Sequence, residues 1–205
     1  ATFTHNGNQE TILAAATSIG AAGNGHDWGG NGNAIAFASA NFIIDTQKPA
    51  PAVTATPSTI SLPALTLTVK AVYGESMNTG VSPTITFTPA NANFTPAAGV
   101  WSTTTVTNDT YTRTYTHNLT AEEIASTTIN VNGGKDARGN VQTTGVNSAS
   151  VLIDTQRPTV TSIVRNASTP SKDTQQSYIV TFSEPVTGVS AADFTPVVVS
   201  GTVSA

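Results

Sequence analysis

Half of the acidic side chains in this sequence fall into two sets of three that repeat along the chain. The chain has 205 residues, of which only 12 are Asp or Glu. Asp27, Asp45 and Glu75 form the first set, and Asp136, Asp154 and Glu184 form the second, all displaced by one common offset. Carboxylate oxygens are hard ligands, and calcium takes about six to eight of them in flexible loops. Each set is therefore predicted to hold a calcium ion at a joint between two domains, with backbone carbonyls and Asn31 or Asn140 completing the coordination.

A purely structural alternative accounts for the same residues. Asp often caps a turn through its side chain, without any ligand. A strand can also place Glu75 or Glu184 at either end of its own domain, so that three carboxylates never meet. The sequence leaves the calcium site and the turn caps open as alternatives.

The other reactive residue types favour no catalytic centre. The chain has three His (His5, His26 and His117) and no Cys. No Ser lies in a nucleophile-elbow pattern, and no Gly-rich loop has the form that cradles phosphates. His5 and His117 hold equivalent positions in the repeat, where an imidazole at a strand end is expected to bond to a loop. We therefore predict that the chain is not an enzyme and has no catalytic residues.

The offset that relates the two acidic sets extends beyond them. The segment 43–49 (IIDTQKP) returns as 152–158 (LIDTQRP). We call the sequence separation between Asp45 and Asp154 the repeat offset. It is about the length of one domain and exceeds the length of a solenoid repeat. We predict residues 1–48 to be the C-terminal part of one repeat, residues 49–157 a complete repeat, and residues 158–205 the N-terminal half of a third.

Alternating apolar residues predict strands throughout the complete repeat. The clearest is 65–73, and others are predicted near 85–87, 129–131 and 146–153. A hairpin is predicted from 99–106 and 111–117, because Asn108 and Asp109 between them favour a turn. The side chains expected in the core are Leu67, Val69, Trp101, Tyr115, Ile129 and Val131.

Helix is predicted at one place alone, where Thr120 followed by Glu123 has the capping-box pattern for a single turn. The chain contains 37 Thr, a β-branched residue that suits the solvated face of a sheet. About seven short strands in one repeat are typical of an antiparallel β-sandwich. The predicted fold class is all-β, as tandem immunoglobulin-like antiparallel β-sandwich domains.

Three short motifs resemble a known group of proteins. They are the linker Asp-Thr-Gln-Lys/Arg-Pro, the strand end Phe182–Val186 (FSEPV), and the loop Asp136–Asn140 (DARGN). All three are similar to bacterial immunoglobulin-like repeats of giant surface adhesins. The resemblance implies a long stalk that holds an adhesive tip away from the cell, and it implies calcium at some domain junctions.

The expected function is therefore a structural stalk segment of a secreted or surface-anchored bacterial adhesin or extracellular filament. Its expected partners are neighbouring repeats of the same chain and other copies in a filament, at the bacterial cell surface. A net charge of −4 argues against nucleic acid as a partner, and no apolar run is long enough to span a membrane.

Two alternatives to the stalk remain at this point. One is a carbohydrate- or protein-binding accessory module of an extracellular enzyme, which would need Trp28, Trp101, Tyr111 and Tyr115 exposed as a flat platform. The other is a self-assembling filament or surface-layer subunit, in which a strand of one copy completes the sandwich of its neighbour.

Overall fold

The computed structural model describes residues 10–15, 18–19, 37–38, 42–167, 172, 174–195 and 197. The chain divides into two compact units, residues 1–155 and residues 156–205. Within the described residues there is no α-helix, and a single 3₁₀ turn covers Ala191–Asp193. The all-β prediction is confirmed.

The described residues before Pro49 contain four short strands of the first unit. They are β1 (Glu10–Ala15), β2 (Ser18–Ile19), β3 (Phe37–Ala38) and β4 (Phe42–Asp45). β1 pairs antiparallel with β4, and β2 pairs antiparallel with β3. The chain then leaves β4 and reaches Pro49, which is buried.

Ten strands follow between Pro49 and Thr155 and build two five-stranded sheets. They are β5 (Ala52–Thr56), β6 (Thr59–Ser61), β7 (Thr66–Val72), β8 (Thr84–Thr88), β9 (Phe94–Pro96), β10 (Val100–Ser102), β11 (Thr110–His117), β12 (Glu123–Asn132), β13 (Val146–Asn147) and β14 (Val151–Asp154). One sheet has the order β10-β11-β7-β5, with β9 also on β11. The other has the order β13-β12-β14-β6, with β8 also on β12. Every pair is antiparallel except β14 with β6.

The alternation of side chains along each strand explains how the two sheets meet. In β7, Leu67, Val69 and Ala71 are each at most 1% exposed, while Thr68 and Lys70 between them face outwards. Burying one such Leu or Val contributes about 1.5–3 kcal/mol. Both sheets supply side chains to one core, which makes the architecture β-sandwich-like. The core side chains of β7 and β11 pack with those of β6, β12 and β14, which are Ile60, Ile129, Val131, Val151 and Ile153.

Two sequence predictions about this region need correction. The single helical turn predicted from the capping box is wrong, because β12 already begins at Glu123. The N–H of Thr120 donates to Asn118 Oδ1 at 3.1 Å, so it is not free for the carboxylate of Glu123. The second correction concerns Trp101, which the sequence places in the core. It is only half-buried and packs at the margin of the core.

The second unit contains two strands in its described part. β15 (Val160–Arg165) and β16 (Tyr178–Phe182) form an antiparallel pair. Their register shifts once between Val160 and Ser162, which indicates a β-bulge. Glu184 follows the end of β16 after one residue.

Candidate metal centre

Three carboxylates from distant parts of the sequence meet at one end of the first unit. Asp45 is the last residue of β4, Glu75 follows β7, and Asp136 follows β12. Any two of them can offer oxygens that lie within 4.8 Å of each other. We call Asp45, Glu75 and Asp136 the carboxylate cluster.

Backbone contacts hold the two loops of the complete repeat together beneath the carboxylate cluster. The loop after β7 and the loop after β12 form an antiparallel bridge between Met77 and Asp136. The N–H of Asn78 donates to the carbonyl of Lys135 at 2.8 Å. The N–H of Ala137 donates to the carbonyl of Ser76 at 2.9 Å. Glu75 and Asp136 are therefore positioned by backbone pairing.

The carboxylate of Asp136 is buried and fixed by its own loop. The residue is 1% exposed, and its Oδ1 accepts from the N–H groups of Arg138, Gly139 and Asn140 at 2.8, 2.6 and 2.8 Å. The three N–H groups can point at one oxygen because the loop turns at Gly139, whose φ of 110° is readily adopted only by glycine. The Oδ2 of Asp136 accepts from the side-chain amide of Asn140 at 2.8 Å.

Asn140 links the carboxylate cluster to the segment that precedes Pro49. Its amide donates to the carboxylate Oδ1 and to the backbone carbonyl of Asp45, both at 3.3 Å. The N–H of Gln47 also donates to Asp45 Oδ1 at 3.3 Å. The amide of Asn140 therefore spans two carboxylates that come from opposite sides of the Pro49 linker.

The donor set fits a hard divalent cation. Three atoms that lie within 4.8 Å of one another can all be reached from one point at about 2.8 Å or less, close to the calcium–oxygen distance of about 2.3–2.6 Å. The three side chains offer oxygens only, and carbonyls of the surrounding loops can supply more. A cation would also offset the repulsion between three neighbouring carboxylates.

Two members of the predicted first set lie together in the described residues. Asp45 and Glu75 share the carboxylate cluster with Asp136, which the sequence had placed in the second set. Asp27 lies outside the described residues. Asp136 reaches this end because β12 returns the chain to the end at which the complete repeat begins.

The predicted grouping of Asp136 with Asp154 is wrong. Asp154 is paired with Glu123, at the start of the ten-residue strand β12, whereas Asp136 follows its end. At about 3.3 Å per residue the two carboxylates lie roughly 30 Å apart and cannot share an ion. Glu184 belongs to the second unit, where one of its carboxylate oxygens is buried without a hydrogen-bond partner.

A second polar network surrounds His117. Its Nε2 lies 2.6 Å from Glu122 Oε1, and its Nδ1 accepts from the N–H of Leu119 at 3.2 Å. The N–H on Nε2 therefore donates to the carboxylate, which also accepts from Asn91 and Asn93 at 2.7 and 2.9 Å. Both ring nitrogens of this buried imidazole therefore make hydrogen bonds to the loop that follows β11, as expected for a histidine at a strand end.

The aromatic side chains of the complete repeat do not form a platform for a ligand. Tyr111 and Tyr115 are 2% and 5% exposed. The rings of Trp101 and Tyr111 are inclined at 59° with their centroids 5.0 Å apart. These rings pack in and beside the core, and Trp28 lies outside the described residues.

Comparisons of the chain with known protein families, with curated proteins and with solved structures found no match. In the part of the chain that the structure describes, no helix has the length and apolar character needed to cross a membrane.

Proposed function

We propose that this chain is a structural stalk segment of a secreted or surface-anchored bacterial adhesin or extracellular filament, built of tandem immunoglobulin-like domains. The observation that carries the proposal is the carboxylate cluster. It joins Asp45, before the linker proline, to Glu75 and Asp136 of the complete repeat. A cation held there would brace the joint between one repeat and the next.

The strand order supports the immunoglobulin-like assignment. In immunoglobulin domains strands A, B, E and D form one sheet, and strands C, F and G form the other. When β5, β7, β11 and β10 are taken as A, B, E and D, their neighbours in the sheet follow that order. Correspondingly β8, β12 and β14 take the places of C, F and G, and β6 adds to the edge of G.

The proposed brace acts through linkage between cation binding and joint geometry. An ion that binds only when Asp45 converges with Glu75 and Asp136 stabilises that arrangement over all others. Pro49 adds stiffness because its ring fixes φ and keeps the preceding Lys48 extended. Calcium is the ion best suited to the oxygen ligands and to a chain that works outside the cell. The partners proposed are neighbouring repeats, and no catalytic activity is proposed.

Thermal unfolding and small-angle scattering test this proposal. Calcium should raise the melting temperature of the chain, and it should increase the radius of gyration relative to the same chain in excess chelator, because a braced joint bends less. Asp45→Asn should remove most of both effects, because it withdraws the ligand that comes from before the linker.

Glu123→Gln is the matched control. Glu123 is an exposed carboxylate at the far end of β12, and its loss should leave both calcium effects unchanged. Equal calcium responses from wild type and Asp45→Asn would exclude the carboxylate cluster as the site. Absence of any response in wild type would leave these carboxylates as turn caps.

A further inference from the structure

The side chain of Asn132, at the end of β12, contacts the backbone of the residue directly after it. Its Oδ1 accepts from the N–H of Gly133 at 2.8 Å. Three other asparagines form the usual turn in which Oδ1 accepts from the N–H two residues later, and they are Asn78, Asn91 and Asn118. Asn132 differs from them in which backbone nitrogen its carboxamide contacts.

This contact brings a nucleophilic atom close to an electrophilic one. A carbonyl bond is about 1.2 Å long, so Cγ of Asn132 lies no more than about 4.0 Å from the nitrogen of Gly133. Reactions between neighbouring groups become fast when the reacting atoms are held about 3–3.5 Å apart. The carboxamide of Asn132 is therefore held close to the geometry in which this nitrogen can attack it.

The surroundings of Gly133 leave room for a ring to form. A Cβ added to Gly133 would meet no other atom within 4 Å, and the residue has a φ of 77°. Glycine also carries no side chain that would shield its own nitrogen. Asn132 is only half-buried, so water can reach it. Among the described residues, nothing holds the amide nitrogen of Asn132 by a hydrogen bond.

We propose that Asn132 is a site of spontaneous deamidation, with water as the sole co-reactant. The nitrogen of Gly133 gives its proton to solvent base and forms a bond to Cγ of Asn132. The bond from Cγ to Nδ2 breaks, and Nδ2 takes up a proton and leaves as ammonia. Water then opens the resulting succinimide at either of its two carbonyl carbons, which gives aspartate or isoaspartate. This proposal does not rest on cation binding.

The reaction would alter the start of the loop that carries Asp136. Either product adds one negative charge four residues before Asp136. The isoaspartate form also inserts one carbon into the backbone between Asn132 and Gly133, directly after the strand pairing of Asn132 with Thr84. Deamidation therefore changes both the charge and the chain length at this end of the sandwich.

Peptide mapping by mass spectrometry of the 205-residue chain in isotopically labelled water tests the proposal. The folded chain should incorporate labelled oxygen at residue 132, and faster as the pH rises, because hydroxide removes the proton from the backbone nitrogen. The chain unfolded in guanidinium chloride should react there no faster than the folded chain. Slower reaction in the folded chain would overturn the proposal. So would label confined to Asn6, Asn24 and Asn31, which also precede glycine.

Thr79→Gly provides the matched control, because it places a second Asn-Gly pair in the complete repeat. Thr79 is exposed, and the N–H of Gly80 donates to Asn78 Oδ1 at 3.0 Å, so the carboxamide of Asn78 is directed to the nitrogen two residues later. In this variant Asn132 should react several-fold faster than Asn78. Equal rates would overturn the proposal, since the dipeptide sequence alone would then set the rate.

Asn132→Gln and Gly133→Ala should each lose the labelled product. Glutamine would have to close a larger ring, and alanine would shield the attacking nitrogen. Because a φ of 77° disfavours alanine, circular dichroism should check that Gly133→Ala is folded, and Asn132→Gln keeps the test decisive if it is not. Label that persists in the same peptide of Asn132→Gln would place the reaction at another residue and overturn the proposal.

Discussion

Two buried aspartates in the same repeat, Asp109 and Asp136, each accept hydrogen bonds from three backbone N–H groups, but their carboxylates have different surroundings. Asp109 accepts from the N–H groups of Thr104, Thr105 and Val106 at 2.7, 2.7 and 2.9 Å. Asp136 likewise accepts from three consecutive N–H groups of its own loop. Both carboxylates are almost inaccessible to solvent, at 0% and 1% exposure.

The two aspartates differ in what surrounds their carboxylate oxygens beyond these backbone bonds. The two oxygens of Asp109 also accept from the hydroxyls of Thr105 and Thr110 at 2.7 and 2.9 Å. All the donors to this carboxylate are therefore uncharged groups. Asp136 accepts all three backbone bonds at Oδ1, and one of its carboxylate oxygens lies within 4.8 Å of oxygens of Asp45 and Glu75. A saturated carboxylate is a turn cap, whereas one that faces other carboxylates is a candidate ligand.

The largest effect on stability is expected from Asp109→Ala. It would leave three backbone N–H groups and two hydroxyls of the β10–β11 loop without their shared acceptor, so the melting temperature should fall by about 10 °C or more. Calorimetry of the variant and of wild type measures this. A fall of only a few degrees would mean that water replaces the carboxylate and that the loop is not held by it.

The response to calcium should distinguish the two aspartates when each is changed to Asn. At a calcium concentration about 100-fold above Kd, binding should add about 2.7 kcal/mol to the free energy of unfolding of wild type. Asp136→Asn should lose this gain and Asp109→Asn should keep it, although both variants start from lower stability. Denaturant unfolding with and without calcium measures both. Loss of the gain in both variants would show that it does not arise at the carboxylate cluster.

Glu122→Gln should lower the free energy of unfolding by about 2 kcal/mol at neutral pH, because a charged acceptor of three side-chain donors becomes neutral. Burial alone would raise the pKa of Glu122, but hydrogen bonds from Asn91, His117 and Asn93 lower it below the ordinary value. A depressed folded-state pKa stabilises the fold above the unfolded pKa of about 4.3.

That stabilisation is lost as the pH falls through the lower, folded-state pKa. The difference between wild type and Glu122→Gln should therefore shrink below about pH 4. Urea unfolding at several pH values follows it. A difference that stays constant down to about pH 2 would assign the loss to altered packing.

The smallest effects are expected at the left-handed residues of the two loops. Gly139→Ala should cost about 1 kcal/mol, since a φ of 110° disfavours any side chain. Asn108 in the Asp109 loop has a φ of 58°, so Asn108→Gly should change stability by less than about 0.5 kcal/mol. Equal losses at the two positions, measured by urea unfolding, would show that backbone strain does not distinguish the loops.

The all-β class and the positions of the main strands can be predicted from the amino-acid sequence without the fold. Alternation is a local property with a period of two, so the stretch 65–73 predicts β7 and its buried face. The repeat also singles out Asp45, Glu75 and Asp136, because a shared offset needs no knowledge of the fold. The turn at Asn108 and Asp109 is likewise readable from its residue types.

Which carboxylates meet depends on how the strands pack in three dimensions. Strand direction determines the end of the sandwich at which each loop emerges, and no local pattern records it, so the sequence groups Asp136 with Asp154 although β12 separates them. The helical turn at Thr120 fails for a related reason. Asn118 and Thr155 satisfy its backbone through contacts that a capping pattern does not reveal. Local spacing specifies elements, whereas sites arise from the long-range packing of those elements.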